Sequence, residues 1–201
     1  MGFFGSGILT KGRKKALDEF RKHAILVLEK LAKNAKDGTT RELYMHMQRN
    51  VLRTPIWFYP SASLTKKIEI SHGMVFASVT KGENVNLIKL IQTPKGSVIV
   101  RSNYINLPAE HIFFGDKMSV QGIFTIAHEY AHFPKPKISE FAKGLRISAE
   151  NAEELLADIM ASKLAVALGY PKEGVLALLS GRQLVYGAFP FEKFILKAIG
   201  L

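Results

Sequence analysis

Apolar positions change their period several times along the chain. From Lys14 to Lys36, Ala16, Leu17, Phe20, Ala24, Ile25, Leu28, Leu31 and Ala32 recur at intervals of three and four, with Lys, Arg and Glu between them. Those intervals return to one face of a 3.6-residue helix, so the spacing predicts a strongly amphipathic helix. Asp37-Gly38-Thr39-Thr40 then supplies a stop and a new N-cap. Glu42, Leu43, Met45, Met47, Val51 and Leu52 carry a second helix to Arg53, ahead of Pro55. A helical hairpin opens the chain.

Between Trp57 and Phe114 the pattern becomes β-branched and aromatic, in runs at Ile68 to Ile70, Val75 to Val79, Leu87 to Ile91, Val98 to Val100 and Ile112 to Phe114. Gly73, Lys81-Gly82-Glu83-Asn84, Pro94-Lys95-Gly96 and Asn106-Leu107-Pro108 read as the turns between about four or five short strands. Helical spacing returns from Met118 to His132, ended by Pro134 and Pro136. Ser148 followed by Glu150 caps a long helix that runs to Leu168 and stops at Gly169-Tyr170-Pro171. Two shorter helices follow, at Lys172 to Leu179 and Pro190 to Ile199.

No internal repeat is present, and the softest seam is Arg53 to Ser63. The expected fold is α+β, with a small mixed or antiparallel sheet and an N-terminal helical layer. It divides into an N-terminal extension, residues 1–55, and a domain of residues 56–201, or forms one continuous domain.

Composition adds three constraints. With 201 residues, 47% hydrophobic and 22% charged, the chain can bury one core, which excludes the disordered and low-complexity classes. Cysteine is absent, so thiolate metal sites and Cys nucleophiles are excluded, and any metal must be held by His, Asp or Glu. The net charge of +11 permits attraction to nucleic acid, anionic membrane or acidic protein without choosing among them. The densest basic stretch, Lys11 to Lys15 with Arg21 and Lys22, reads as a solvated helix face or a nucleic-acid contact. No apolar run reaches the roughly 18 residues of a membrane span. The Phe3 to Thr10 stretch is too short for a secretory signal, and its basic cluster follows it rather than precedes it. The expectation is a soluble, cytoplasmic protein.

Candidate chemistry lies on the helix after Ala127. His128-Glu129-Tyr130-Ala131-His132 is an HExxH sequence. Positions four apart share one helix face, so both imidazoles can reach one Zn²⁺, with Glu129 beside the open coordination position. A catalytic zinc needs a third protein ligand. No histidine follows His132, and Lys135 and Ile138 stand where a metzincin would carry Gly and His, so that class is excluded.

Downstream, Glu154-Leu155-Leu156-Ala157-Asp158 resembles the second, ExxAD-type motif of gluzincin metallopeptidases. The stretch Phe124 to Phe133 taken with Glu154 to Ala161 is similar to ImmA-like peptidases and archaeal minigluzincins. The resemblance covers residues 97 to 171, and Asp158 departs from the Asn more usual in the ImmA-like pattern. It implies a zincin-like domain with an active-site helix and a glutamate helix. It also implies one Zn²⁺ per chain held by His128, His132 and Glu154, with Asp158 orienting a ligand imidazole and Glu129 as general base. Glu150 and Glu153 compete with Glu154 for the third position, but only Glu154 has an Asp four residues later.

The activity so implied is hydrolysis of a peptide or protein substrate by a metal-activated water. Such enzymes seat the substrate backbone along a sheet edge, for which Ser97 to Ser102 or His111 to Phe114 are the candidates. Tyr170, Arg182 and Tyr186 are candidate donors to the oxyanion. His23, His46, His72 and His111 read as surface or core histidines. The alternative is a basic nucleic-acid-associated protein whose zinc site is structural or acts on DNA-bound proteins. A third reading makes the N-terminal hairpin an assembly or covering segment.

Overall fold

The computed structural model describes residues 9–59, 78–80, 89–93, 96–100, 104–132, 135–179 and 190–200. Helix α1 (Lys11–Lys33) starts at Thr10, whose side chain accepts from the Arg13 amide, and buries Leu17, Phe20, Ala24, Leu28 and Ala32. Helix α2 (Gly38–Arg53) is capped by Asp37, which accepts from the Thr40 amide, and buries Tyr44, Met47 and Val51. The two pack as an antiparallel pair. Arg21 of α1 donates through Nε and Nη2 to the Val51 carbonyl at 3.1 and 2.5 Å, and Gln48 Nε2 of α2 donates to the Ile25 carbonyl at 3.2 Å.

A three-stranded mixed sheet follows. Strand β5 (Tyr104–Pro108) lies between β1 (Ile56–Tyr59), to which it is parallel, and β2 (Ser78–Thr80), to which it is antiparallel. Ile56, Phe58, Ile105 and Leu107 alternate along the two parallel strands and are all buried. Strands β3 (Lys89–Thr93) and β4 (Gly96–Val100) form a separate antiparallel hairpin.

Here the structure departs from the sequence reading. Asn106-Leu107-Pro108, expected to be a turn, is the end of the central strand, and Ile56 to Tyr59, inside the expected seam, is its parallel neighbour. Pro108 stands at the strand's last position, where a missing N–H costs the ladder least. Ile68 to Ile70 and residues 75–77 and 87–88 of the expected strands lie outside the described residues.

Strand β5 runs directly into the short helix α3 (Ala109–Ile112), then into a hairpin of β6 (Phe113–Phe114) and β7 (Lys117–Met118). The expected strand from Ile112 to Phe114 is thus a helix end and two paired residues. Gly115 makes the hairpin's bend with φ 61°. The start of α1 is fastened to this tip: Thr10 Oγ1 donates to Asp116 Oδ1 at 2.5 Å and Arg13 Nε to the Gly115 carbonyl at 2.9 Å.

Ser119 caps α4 (Val120–Tyr130) by accepting from the Gly122 amide. Its own amide and hydroxyl both donate to the Ile112 carbonyl, at 2.9 and 3.2 Å, which pins the start of α4 to the end of α3. Helix α5 (Lys135–Leu145) occupies the stretch where Pro134 and Pro136 were expected only to stop a helix. Pro136 is instead the second residue of a new one, where the missing N–H has no intrahelical partner to lose. Its end is closed by Arg146 at φ 57°, with the Ile147 amide donating to the Ala142 carbonyl.

Helix α6 (Ala149–Ala167), capped by Ser148, is buried on nearly every side and packs on α1, α4, α5, α7 (Lys172–Leu179) and α8 (Phe191–Ile199). A helix apolar around most of its circumference belongs in the interior, and a single hydrophobic cluster runs from Leu17 of α1 through Ile105 and Ile126 to Ile195 of α8. The architecture is α+β, dominated by helices. Among the described residues no helix is long and apolar enough to cross a membrane.

Two helical glycines carry opposite predictions, Gly122 at the α3 to α4 corner and Gly144 in α5. A Cβ on Gly122 would overlap the Ile112 backbone, whereas one on Gly144 in α5 meets nothing within 4 Å. Gly122→Ala is expected to cost about 1–3 kcal/mol through overpacking. Gly144→Ala is expected to gain a few tenths to about 1 kcal/mol from helix propensity. Urea midpoints measured side by side check both signs.

Candidate metal centre

Helices α4 and α6 bring the titratable residues together. His128 and Glu129 are buried on the last turn of α4, and His132 lies one residue beyond the C-cap Ala131 rather than within the helix as the sequence reading had it. Ala131 keeps near-helical angles (φ −89°, ψ −2°), so His132 still falls beside His128. Their ring centroids are 5.0 Å apart and the rings nearly perpendicular, at 87°. One candidate ligand atom each from His128, Glu129 and His132 lies within 4.8 Å of the others.

From α6 come three carboxylates. Asp158, with no solvent exposure, accepts from His128 Nδ1 at 2.7 Å. Glu153 accepts from His132 Nδ1 at 3.1 Å. A carboxylate can only accept, so each Nδ1 carries the proton, and in the neutral ring each Nε2 keeps a free lone pair. Those Nε2 atoms face Glu154: Oε2 is 3.3 Å from His128 Nε2 and Oε1 is 4.0 Å from His132 Nε2. Glu129 Oε2 stands 3.9 Å from His132 Nε2.

The donor set fits a divalent cation. Two imidazole nitrogens and a carboxylate, with bonds of about 2.0 to 2.2 Å to a tetrahedral ion, must sit about 3.3 to 3.5 Å apart. His128 Nε2 and Glu154 are already at that spacing. Burial disfavours a charged His128, but the hydrogen bonds of Asp158 and Glu154 and the charges of Asp158 and Glu129 outweigh it and raise the imidazole pKa to about 10. With no metal, a proton therefore occupies this imidazole at neutral pH, and a metal cation would take that proton's place among the carboxylates.

Of the competing glutamates, Glu150 is exposed in the first turn of α6, and Glu153 serves the outer side of His132 rather than the Nε2 side. Its role as partner of an imidazole was not anticipated, although it directly precedes Glu154 and so lies about 100° around the helix from it. His46 and Asn50 of α2 were also missed as groups near the site. They donate to the carbonyls of His132 and Tyr130 at 3.2 and 2.8 Å. No local sequence signal pairs residues about 80 positions apart.

Tyr170 is half-buried beyond the far end of α6, with its amide on the Ala165 carbonyl. Ala165 is eleven residues on from Glu154, about 16 Å along the axis, so the structure does not bring Tyr170 to the centre. Arg182 and Tyr186 lie outside the described residues. His111 is in α3 and His23 is exposed on α1, while residue 72 is not described. Strand β4 covers Ser97 to Val100 of one candidate substrate edge; residues 101–103 are not described.

No known family, curated protein or solved structure matches this chain. The fold and site stand on their own geometry.

Partners on the outer side of a metal-binding imidazole typically change affinity about 10- to 100-fold. Asp158→Asn, which keeps shape and loses charge, is expected to weaken the binding of a metal ion at this group within that range in a chelator competition. Glu150→Gln is expected to leave it unchanged.

Proposed function

We propose that the protein is a zinc-dependent peptidase of the gluzincin type, with His128, His132 and Glu154 as metal ligands. The observation that carries this reading is the convergence of both Nε2 atoms on Glu154 while Asp158 and Glu153 hold the opposite ring nitrogens. When bound there, zinc would supply Lewis acidity, lowering the pKa of a water and polarising a carbonyl.

The chain's own residues then have distinct tasks. Glu129, buried beside His132, accepts the proton of the attacking water at its carboxylate and passes it to the departing amine. Asp158 and Glu153 keep Nδ1 protonated, so that both Nε2 lone pairs stay inward. Ile126, Ala127 and Tyr130 are fully buried and fix α4 beneath the site. Glu154, with 27% of its side chain exposed, stands on the side open to solvent and to substrate.

Protein purified without added metal is expected to hold close to one zinc per chain by elemental analysis, and Glu154→Ala is expected to lose it. Glu129→Gln is expected to retain the metal while peptide-library cleavage falls at least about 100-fold, the size of a general-base contribution. Full activity in that variant would rule out the mechanism.

A second reading rests on the start of α1, where Lys11, Arg13, Lys14 and Lys15 stand with no acidic residue in the first turn. Cations oppose the dipole at that end of a helix, and nucleic-acid phosphates would offset them. In this reading the metal centre is structural or serves a peptidase of DNA-bound proteins. Salt-dependent gel shifts on duplex and single strands test it; no shift at low salt removes it.

A further inference from the structure

The chain carries an unusual problem at the end of α4. The carbonyls of a helix's last turn, and those of the residues just past it, need donors from outside the helix, and here continuation could not supply one of each. The residues four places on from Tyr130 and His132 are Pro134 and Pro136, which have no N–H to give. Helix α2 supplies both donors instead. Asn50 Nδ2 donates to the Tyr130 carbonyl at 2.8 Å and His46 Nε2 to the His132 carbonyl at 3.2 Å. Residues 46 and 50 are one turn apart and so share a face of α2, which packs on α4.

We propose that His46 and Asn50 are positioning residues for the metal centre, a C-terminal cap given to α4 by a different helix. This rests on the metal-site reading above. His132 is the ligand that stands outside the helix, where i→i−4 bonding no longer holds the backbone and helix ends fray. Glu153 restrains its ring, but a ring restraint leaves the main chain free to move. The bond from His46 fixes that main chain at His132, and the bond from Asn50 fixes it one residue past Glu129. Arg21 secures α2 in turn through the Val51 carbonyl, next to Asn50. The N-terminal hairpin is thereby part of the site's scaffold.

The test is Zn²⁺ affinity by chelator competition on the full chain, together with the visible spectrum of the Co²⁺-loaded protein, which reports ligand geometry. His46→Leu and Asn50→Leu, single and combined, remove the donors and keep apolar volume. His46→Gln keeps a donor at a similar reach. Gln48→Leu removes a bond of the same kind between α1 and α2 and serves as the structural control. The double variant is expected to bind Zn²⁺ about 10- to 100-fold more weakly, with a changed Co²⁺ spectrum. His46→Gln is expected to restore affinity, and Gln48→Leu to melt earlier with affinity unchanged.

Wild-type affinity and spectrum in the double variant would overturn the inference while leaving the metal reading standing. A wild-type chain that binds neither metal would remove that reading, and this inference with it. If the double variant does not fold, His46→Leu against His46→Gln decides, equal affinities overturning the inference.

Discussion

The arrangement depends on a buried charge. Asp158 sits in the middle of α6 with no solvent exposure, and a carboxylate taken out of water costs several kcal/mol unless it is paired and hydrogen-bonded. His128 meets it at 2.7 Å. Because the pair joins two helices, satisfying Asp158 also sets the rotation of α4 against α6. That rotation turns the other nitrogen of His128 to Glu154, one helical turn before Asp158. The contact that satisfies a requirement of folding is also the one that orients the imidazole at the candidate metal centre. Ala127 and Ala131 near it on α4, and Ala157 and Ala161 on α6, are buried small residues that let the two helices approach closely.

The elements around this pair act as its frame. The α3 carbonyl at Ile112 holds the first turn of α4 through Ser119, and α2 holds its last turn through Asn50 and His46. Helix α1 bonds α2 through Arg21, and its N-cap Thr10 and its Arg13 bond the β6–β7 hairpin that joins α3 to α4. The N-terminal pair and the remainder of the chain share one hydrophobic cluster. Residues 9–55 therefore contribute to the interior that carries the site.

The helices were legible where periodicity and caps agreed. The run that follows the Asp37 to Thr40 cap and ends at Arg53, Ser148 to Leu168 and Lys172 to Leu179 all carry a 3.6-residue pattern bounded by Asp, Ser, Gly or Pro, and the observed elements end within a residue or two of them. Proline acts by position: Pro108, expected in a turn, ends a strand, while Pro134 and Pro136 follow the end of α4 as expected but Pro136 also stands in the first turn of an unexpected helix. The period-2 signal of Ile105 and Leu107 was present but was outweighed by Asn106 and Pro108. At the site, the pairing of His128 with His132 could be anticipated because positions four apart share a helix face, whereas Glu154 and Asp158 were expected only through the resemblance to the gluzincin motif. The α2 donors could not, since hydrogen bonds to carbonyls carry no residue signature at the accepting end, and Glu153 was weighed only as a rival to Glu154 rather than as a partner of the His132 ring.

The order of these parts along the chain also orders their appearance in time. A ribosome adding about 5–20 residues per second needs on the order of 5–20 s to travel from Arg53 to Glu154. Both helices of the opening hairpin, joined by the short turn at Asp37 and closing few residues between their contacts, can pair within that interval. Asn50 and His46, which receive the end of α4, are thus synthesised well before it emerges, and the carboxylates of α6 arrive last. In biosynthetic terms the residues of the socket precede those of the helix that plugs into it.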